Sequence, residues 1–470
     1  MKKHAGYFTA FAVTALMVVG CSDQETAQES DTNIENDRPQ NVIMMIGDGL
    51  GFGQIEIARL LEYGKEGELH MESLDHTALM RTYSANQWVT DSAAAGTGIA
   101  TSTKTDNGMI GVDPDMQPVE SILRLFQDEG KKVGVISNNT VTDATPAAFT
   151  ASVESRDGQA DIARQMFENE YDLLLGGGAE YFSPERQDGR DLVAEFEEND
   201  YTVVTDRDAL HEVDSADRLL GLFHDSYMNY KADLDLNDSN EPSLNEMSAS
   251  ALDLLENDEE GFFLMIEGAR IDHAAHAADV SGVWQETIEF DNTVKDVMDW
   301  VDGRDDTLLV VLADHETMGM AASEVMDKEG LRSVSASPEY MVQQFTFQED
   351  EGKYDTDSVK TTVEEYAGIT LTDDELDAFN GYIYDENNEL KPLHEQAWEI
   401  GSFIANHYQV GVMNRDIREA SATGGHSGNM IPVFAQGPGA ERFNGVLDNT
   451  DISQIITDIT DSQEPGSLME

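Results

Sequence analysis

Three hydrophobic segments of the chain each run directly into an acidic residue. Carboxylates gathered at one edge of a sheet would repel each other, and a divalent cation bound between them would remove that repulsion. Taken alone, Asp48 between two glycines also fits a plain tight turn. The pattern occurs three times, however, which favours a metal site: Asp48 follows segment 41–46, Glu267 follows segment 262–266, and Asp314 with His315 follows segment 308–313.

Histidines supply a second kind of ligand. Asp272 and His276 are four residues apart, so both lie on one face of a helical turn and can hold the same ion. His426 lies in a glycine-rich turn before another apolar segment. A helix-capping Asp with a surface His is the simpler explanation, but the chain has only 11 histidines and several occupy such positions. Mixed oxygen and nitrogen ligands suit zinc, and an oxygen-only position suits magnesium.

Ser92 is the candidate nucleophile. It begins a segment of small residues that predicts a helix, and the free N–H groups of a helix N-terminus stabilise an alkoxide or a bound phosphate. The neighbouring sequence contains no histidine, so activation by a metal is favoured over a Ser-His-Asp triad. The alternative is an ordinary helix N-cap formed by Asp91 or Ser92.

Two further segments carry groups that suit a phosphate site. Asp143 and Thr145 offer oxygen ligands beside Pro146, which is typical of a helix start. Arg156 offers a planar cation that can bind two phosphate oxygens at once.

The composition limits the possible partners. Among 470 residues, 28 are Lys or Arg and 93 are Asp or Glu, which gives a formal net charge of −65. Nucleic acid and anionic membranes are therefore excluded as partners, because binding them requires a basic surface. With 40% hydrophobic residues the chain can still bury a substantial core, so we expect a folded protein rather than a disordered one. So large an acidic excess indicates a salt-adapted, halophilic source.

The N-terminus is typical of an export signal. Residues 1–20 combine a basic start with an apolar run that is too short to span a bilayer. Cys21, the chain's only cysteine, lies at the cleavage position of a lipobox-like sequence, which predicts a lipid anchor with residues 21–40 as an acidic tether. A simple cleaved signal peptide is the alternative. Either way we expect an exported protein: periplasmic, anchored to the outer membrane as a lipoprotein, or extracellular.

From residue 41 onward, short apolar strands alternate with amphipathic helices. This order predicts an α/β fold with a central, mostly parallel sheet flanked by helices on both faces. Ligands of such sheets bind where the strands end, which is where the candidate residues lie. The predicted strands are 41–46, 132–137, 171–175, 201–205, 261–266, 308–312 and 431–436, and the predicted helices are 118–129, 159–169, 243–256 and 281–301.

Residues 321–423 interrupt this alternation, so we interpret them as an insertion within a domain spanning 41–470. Thr372 and Glu375 there fit a helix capping box. Trp398, Phe403 and Tyr408 at helical spacing would expose apolar surface unless covered, which predicts a homodimer. The alternative is that these side chains pack on their own domain.

The sequence resembles the alkaline phosphatase family from about Asn41 to Gly439. The resemblance rests on six motifs in family order, and six together are highly specific. They are Gly47-Asp48-Gly49-Leu50-Gly51; Asp91-Ser92-Ala93-Ala94; Asp143-Ala144-Thr145-Pro146-Ala147-Ala148 with Ser155-Arg156 after it; Glu267-Gly268-Ala269 with Asp272 and His276; Ala313-Asp314-His315; and Gly424-Gly425-His426-Ser427-Gly428.

The resemblance implies an enzyme that hydrolyses phosphate monoesters through a phosphoserine at Ser92. Arg156, oriented by Asp91, would bind the phosphate. Two Zn²⁺ and one Mg²⁺ per chain are implied, with these ligands: Asp272, His276 and His426 for the first zinc; Asp48, Asp314 and His315 for the second; and Asp48, Thr145 and Glu267 for the magnesium.

The resemblance implies that Asp143 and His273 lie next to these ligands. This pair mixes the patterns of bacterial and animal members, so the metal of the third site is left open. The insertion resembles the crown that family dimers build over their interface. Two other functions fit parts of the sequence. A sulfatase or phosphodiesterase on the same scaffold is disfavoured because residues 91–95 lack the sulfatase motif and because Thr145 and Glu267 are present. A passive cation-binding surface protein would not need Ser92 or Arg156.

Overall fold

A sheet of ten strands lies at the centre of the computed structural model, which describes residues 38–256, 258–385 and 387–469. The predicted signal peptide, Cys21 and nearly all of the predicted tether lie outside these residues. The strands are β1 (Asn41–Gly47), β2 (His76–Arg81), β3 (Lys132–Thr140), β4 (Leu173–Gly177), β5 (Thr202–Val204), β6 (Leu219–Leu222), β7 (Phe262–Gly268), β8 (Thr307–Leu312), β9 (Glu316–Thr317), β10 (Phe347–Gln348), β11 (Lys353–Tyr354), β12 (His426–Ser427), β13 (Ile431–Gln436) and β14 (Gly445–Asp448).

The strand order in the sheet is β14-β2-β13-β8-β1-β7-β3-β4-β6-β5. β13 runs antiparallel to both β2 and β8, whereas the other nine strands of this sheet are parallel to one another. The central strands β1, β7 and β8 are buried along their whole length, which explains why their sequences are continuous apolar runs without alternation. The predicted fold class, a mostly parallel sheet flanked by helices, is confirmed.

Helices connect the strands and cover the sheet. They are α1 (Phe52–Glu62), α2 (Ser92–Thr101), α3 (Ile122–Asp128), α4 (Ala144–Thr150), α5 (Gln159–Asn169), α6 (Leu192–Glu198), α7 (Arg207–His211), α8 (Leu244–Leu255), α9 (Arg270–His276), α10 (Val280–Val301), α11 (Lys328–Ser333), α12 (Pro338–Gln343), α13 (Thr356–Ala367), α14 (Asp373–Tyr382), α15 (Leu393–His407), α16 (Arg415–Ala420) and α17 (Asp451–Thr460). Among the described residues, none of these helices has the length and hydrophobicity needed to span a membrane.

All seven predicted strands form, with ends that differ from the prediction by at most three residues. The prediction that a helix begins at Pro118 is wrong. Ser121 caps α3 by accepting a hydrogen bond from the Arg124 N–H, so the helix starts at Ile122, and Val119 forms an isolated β-bridge to Leu468 instead.

The segment 321–423 is mostly helical and contains α11 to α16, with β10 and β11 as a small hairpin. The capping box predicted at Thr372 and Glu375 forms at the start of α14. Phe403 and Tyr408 are buried in a hydrophobic cluster formed largely by this segment. The prediction that these two side chains need a partner subunit to cover them is therefore wrong, because they pack on their own domain.

Candidate active site

The register of three adjacent strands brings the acidic residues at their ends together. β1 lies between β7 and β8, and Ile46 pairs with Glu267 on one side and with Leu312 on the other. Asp48 and Asp314 follow directly, so all three carboxylates converge at the carboxyl edge of the sheet. Gly49 is required here. Its φ is +71°, and a Cβ at this position would lie 2.7 Å from Asp272 Oδ1.

Asp272, His276 and His426 form one cluster of possible metal ligands. His276 Nε2 lies 3.1 Å from Asp272 Oδ2 and 3.2 Å from His426 Nε2. The other nitrogen of each imidazole forms a hydrogen bond with a backbone carbonyl: His276 Nδ1 is 2.9 Å from Gly424 O, and His426 Nδ1 is 2.9 Å from Thr90 O. These contacts orient both rings and leave both Nε2 atoms directed at Asp272.

A second cluster lies beside the first. His315 Nε2 is 3.1 Å from Asp314 Oδ2 and 3.5 Å from Asp48 Oδ1. Asp272 also belongs to this group, since Asp48, Asp272 and His315 each place a ligand atom within 4.8 Å of the others. The sequence assigned Asp272 to the first cluster only, whereas the structure places it between the two.

β9 and β12 hold the two clusters together. They pair antiparallel, which stacks the His315 and His426 rings with centroids 3.6 Å apart. Glu316 joins the two strands: its buried carboxylate accepts hydrogen bonds from Gln54, from the Met320 N–H, from Ser427 and from Asn429. Sequence reasoning missed Glu316, although its position directly after His315 was a usable signal.

The third predicted ligand set is also assembled. Thr145 Oγ1 lies 3.4 Å from Asp48 Oδ2, and Glu267 accepts a hydrogen bond from Ser137. Burial, together with the charges of Asp143 and Asp314, raises the pKa of Glu267 to about 8. Burial also raises the pKa of Asp48, and the neighbouring Asp314 and Asp272 add to this effect.

Buried oxygen atoms without hydrogen-bond partners test whether metals fit here. Within the described part of the chain, Asp48 Oδ1, Asp314 Oδ2 and Glu267 Oε1 are buried and accept no well-aligned hydrogen bond, although His315 Nε2 lies near the first two. An unsatisfied buried carboxylate oxygen is costly, and a divalent cation would satisfy all three while offsetting the repulsion between the carboxylates. The residues present therefore fit metal ions.

Ser92 lies at the N-terminus of α2, beside these clusters. Its Oγ is 3.1 Å from His315 Nε2, and the side chain is almost completely buried. Asp91 is the N-cap of α2, because its Oδ1 accepts a hydrogen bond from the Ala94 N–H. Of the two residues that the sequence left open as the cap, Asp91 fills that role, which leaves the Ser92 hydroxyl free for chemistry.

Arg156 lies on the same side as Ser92 and contacts two acidic residues. Its Nη1 is 3.3 Å from Asp91 Oδ2, and its Nη2 is 3.5 Å from Asp143 Oδ1. Burial opposes the guanidinium charge, but Asp143 and Asp91 outweigh burial and raise the pKa of Arg156, so the group stays cationic. The Gly108 N–H also donates to Asp91 Oδ2, which holds this carboxylate in place.

A cavity of about 310 Å³ joins Ser92 and Arg156 to His273 and to aromatic residues that the sequence analysis did not place in the site. His273 faces it from α9, with Nδ1 bonded to the guanidinium of Arg270. Burial, and then the charge of Arg270, lowers the pKa of His273 well below its usual value. Nearly half of the remaining wall comes from the 321–423 segment and includes Trp398, which the sequence analysis used only as a sign of dimerisation.

A family model for alkaline phosphatase matches residues 39–461. The chain belongs to the alkaline phosphatase family. Alkaline phosphatase 4 of Bacillus subtilis (strain 168) is 33% identical over 460 residues, which cover 94% of each chain. The chain is therefore a phosphatase, and the resemblance read from the six motifs is confirmed.

Solved alkaline phosphatase structures share the fold of this family member. The Thermus thermophilus alkaline phosphatase superimposes with a TM-score of 0.81 at 26% identity, covering 96% of this chain and 98% of that one. A mutant of the alkaline phosphatase of the Antarctic bacterium TAB5, with Mg bound in its M3 site, gives a TM-score of 0.64 at 27% identity, covering 91% and 99%.

Proposed function

We propose that this phosphatase hydrolyses phosphate monoesters by transferring the phosphoryl group to Ser92. One observation carries the proposal: the Ser92 hydroxyl lies at a helix N-terminus, 3.1 Å from His315 Nε2, with Arg156 and the clustered carboxylates in the same site. Such a site combines a nucleophile with groups that stabilise phosphate charge.

We further propose two Zn²⁺ and one Mg²⁺ per chain. Asp272, His276 and His426 would hold one zinc, and Asp48, Asp314 and His315 the other, with Asp272 close to both. Asp48, Thr145 and Glu267 would hold the magnesium, a proposal supported by the TAB5 mutant structure with Mg in its M3 site. When bound, these ions supply a lowered pKa for a coordinated hydroxyl or water and positive charge for the transferring phosphoryl group.

The protein's own groups account for the rest of the proposed reaction. Ser92 Oγ loses its proton and forms a bond to phosphorus as the bond between phosphorus and the ester oxygen breaks, and the departing oxygen takes up one proton to leave as the alcohol. The N–H groups of α2 and the Arg156 guanidinium stabilise the charge on the phosphoryl oxygens. Water then breaks the bond from Ser92 Oγ to phosphorus, which releases inorganic phosphate and restores the hydroxyl.

The test compares substrates on the purified, metal-loaded protein. A chromogenic phosphate monoester should be hydrolysed much faster than the matching phosphodiester or sulfate ester, and a chelator should abolish that activity until zinc and magnesium are returned. A clear preference for the diester or the sulfate ester would contradict the proposal and favour a phosphodiesterase or a sulfatase on the same scaffold.

Arg156→Lys is expected to raise KM for a phosphate monoester by about 10- to 100-fold, because a hydrogen bond to a charged group contributes about 1.5–3 kcal/mol and lysine cannot bind two oxygens in one plane. Inhibition by inorganic phosphate should weaken in parallel. Arg164→Lys, at an exposed ion pair with Asp161 outside the site, is the matched control and should leave both constants unchanged. An unchanged KM in the Arg156 variant would remove this residue from the phosphate site.

We also propose that the acidic composition reflects adaptation to high salt. The chain carries a formal net charge of −65, whose self-repulsion opposes the folded state. Salt shortens the Debye length from about 10 Å at 0.1 M to about 3 Å at 1 M, so the melting temperature of the metal-loaded protein should rise with sodium chloride. A flat or falling curve between low salt and a few molar would contradict this proposal.

We also propose that the protein is exported, that Cys21 carries a lipid and that the chain forms a homodimer. Mass spectrometry of the mature N-terminus tests the first two, because a lipid-modified Cys21 has a mass that a simply cleaved chain lacks. Light scattering of the metal-loaded protein tests the dimer, which no longer draws support from Phe403 and Tyr408 because both side chains are buried in their own chain.

A further inference from the structure

A chain of aromatic rings lines the cavity beyond Ser92. Trp398 on α15 stacks on the ligand His276, with centroids 5.5 Å apart and planes 18° from parallel. His394, one helical turn earlier, contacts Trp398 edge-on at 6.2 Å and Tyr227 at 6.4 Å. Tyr227 in turn lies 4.9 Å from His273. These rings, with Ser92 and Arg156, border one cavity of about 310 Å³, at the small end of the volumes typical of ligand pockets, about 300–1,000 Å³.

The position of the cavity determines what occupies it. A phosphate held by Arg156 and attacked by Ser92 fills the end beside α2, so the alcohol part of the ester must extend toward the aromatic rings. Small apolar residues, Ala277, Ala397, Ala422 and Pro338, contribute to the lining beside these rings, together with Tyr230, Thr423 and the Arg270–Glu339 pair. This end therefore suits an apolar or flat group rather than a flexible polar chain.

The charges that face the cavity are compensated within the protein. Arg270 pairs with Glu339 at 3.6 Å, and its guanidinium stacks on Tyr230 at 3.6 Å. Arg156 pairs with Asp91 and Asp143. Burial lowers the pKa of His394 below its usual value, so this ring is uncharged at neutral and alkaline pH. Within the described lining, the charged side chains at the aromatic end already have oppositely charged neighbours, so a charged leaving group gains little there, whereas a neutral ring needs no such partner.

A buried arginine positions Trp398 in this wall. Arg418, which is completely buried, donates hydrogen bonds from Nη1 to Trp398 O, to His276 O and to Ser402 Oγ. The Arg418 guanidinium also lies 5.3 Å from the Trp398 ring. Because the indole loses little further freedom when a ligand stacks on it, stacking contributes directly to binding.

From these contacts we propose that Trp398 is a specificity-determining residue, which makes the enzyme prefer phosphate monoesters whose leaving group carries a neutral planar ring. The proposal rests on the proposed function, since it takes Ser92 and Arg156 as the phosphate end of the cavity. His394 and Tyr227 complete the wall.

The experiment compares adenosine 5′-monophosphate with ribose 5-phosphate on the full, metal-loaded chain. Both esters release the same kind of primary alcohol, so the ratio of their kcat/KM values reports the base alone. The wild-type enzyme should prefer the nucleotide, and Trp398→Ala should lower the ratio about tenfold, given the contribution of base stacking on an aromatic side chain. Trp398→Phe should retain most of the preference. His394→Ala should lower the ratio by a smaller factor.

The ratio of the two kcat/KM values distinguishes a role of Trp398 in substrate specificity from a role in supporting His276, because a loss of metal would slow both substrates equally. Tyr366→Ala is the control: this aromatic residue lies in the same segment, packs on Tyr340 and does not line the cavity, so its ratio should equal that of the wild type. An unchanged ratio in Trp398→Ala would overturn the inference. If the wild type hydrolyses both esters equally, the inference fails and the proposed function stands. If it hydrolyses neither, both fail.

Discussion

Ser92→Ala is expected to lower kcat/KM for a chromogenic phosphate monoester by at least about 10³-fold, since removing the serine nucleophile of another hydrolase costs about 10⁶-fold. The substitution deletes the proposed phosphoryl acceptor. It should not disturb folding, because the side chain is small, its hydroxyl contacts His315 rather than the backbone of α2, and alanine is favourable in a helix. Steady-state kinetics, melting temperature and metal content, measured together, check this result.

Two controls make the Ser92 prediction specific. Ser248→Ala removes another buried helical serine, whose hydroxyl bonds Leu244 O, and should leave activity unchanged. Rapid quenching in acid of wild-type enzyme with labelled substrate should yield phosphoserine at Ser92, and the Ser92 variant should yield none. Retention of near wild-type activity by Ser92→Ala would place the chemistry on another group.

The positions of the site residues were predictable because strand ends can be read from apolar runs. β1, β7 and β8 are buried on both faces, so their sequences are uninterrupted hydrophobic segments, and the first polar residue after each segment marks the sheet edge. The helical spacing of Asp272 and His276 was equally explicit, because α9 places both side chains on one face. These patterns therefore predicted which residues the structure brings together at the edge of the sheet.

Other parts of the fold carried no such signal. β2 alternates in burial and begins with a histidine, β6 has four residues including a glycine, and β14 is largely exposed. Short or polar strands of this kind are defined by their neighbours in the sheet rather than by their own sequences. The central position of Asp272 also depends on tertiary structure, because it requires β1, β8 and α9 to meet.

The wall of the cavity was also only partly predictable from the sequence. Trp398 and His394 are four residues apart on α15, so their shared helical face was visible in the sequence. That this face turns toward His276, however, depends on contacts made by Arg418 with the backbone of both His276 and Trp398. A contact between segments more than a hundred residues apart leaves no periodic pattern, and so the aromatic residue was interpreted as a dimer contact.

Asp272→Asn is expected to cause a loss comparable to that of Ser92→Ala, through the metals rather than the nucleophile. Burial alone would raise the pKa of Asp272, but His276, His426 and His315 outweigh it and hold the pKa well below its usual value, so the group is a carboxylate. Breaking a buried charge pair costs about 3–5 kcal/mol. We therefore expect zinc affinity to fall on the order of 10²–10³-fold, since each 1.4 kcal/mol is about tenfold.

Elemental analysis after dialysis measures the effect directly: the Asp272 variant should retain less zinc per chain than the wild type, and its activity should return only at high added zinc. Asp291→Asn is the control, because this buried carboxylate accepts hydrogen bonds from the His70 and Met71 N–H groups and belongs to neither of the two ligand clusters. That variant should melt earlier yet keep its metals. If Asp272→Asn instead kept full zinc content and lost activity, Asp272 would act on the substrate and not as a ligand shared by the two clusters.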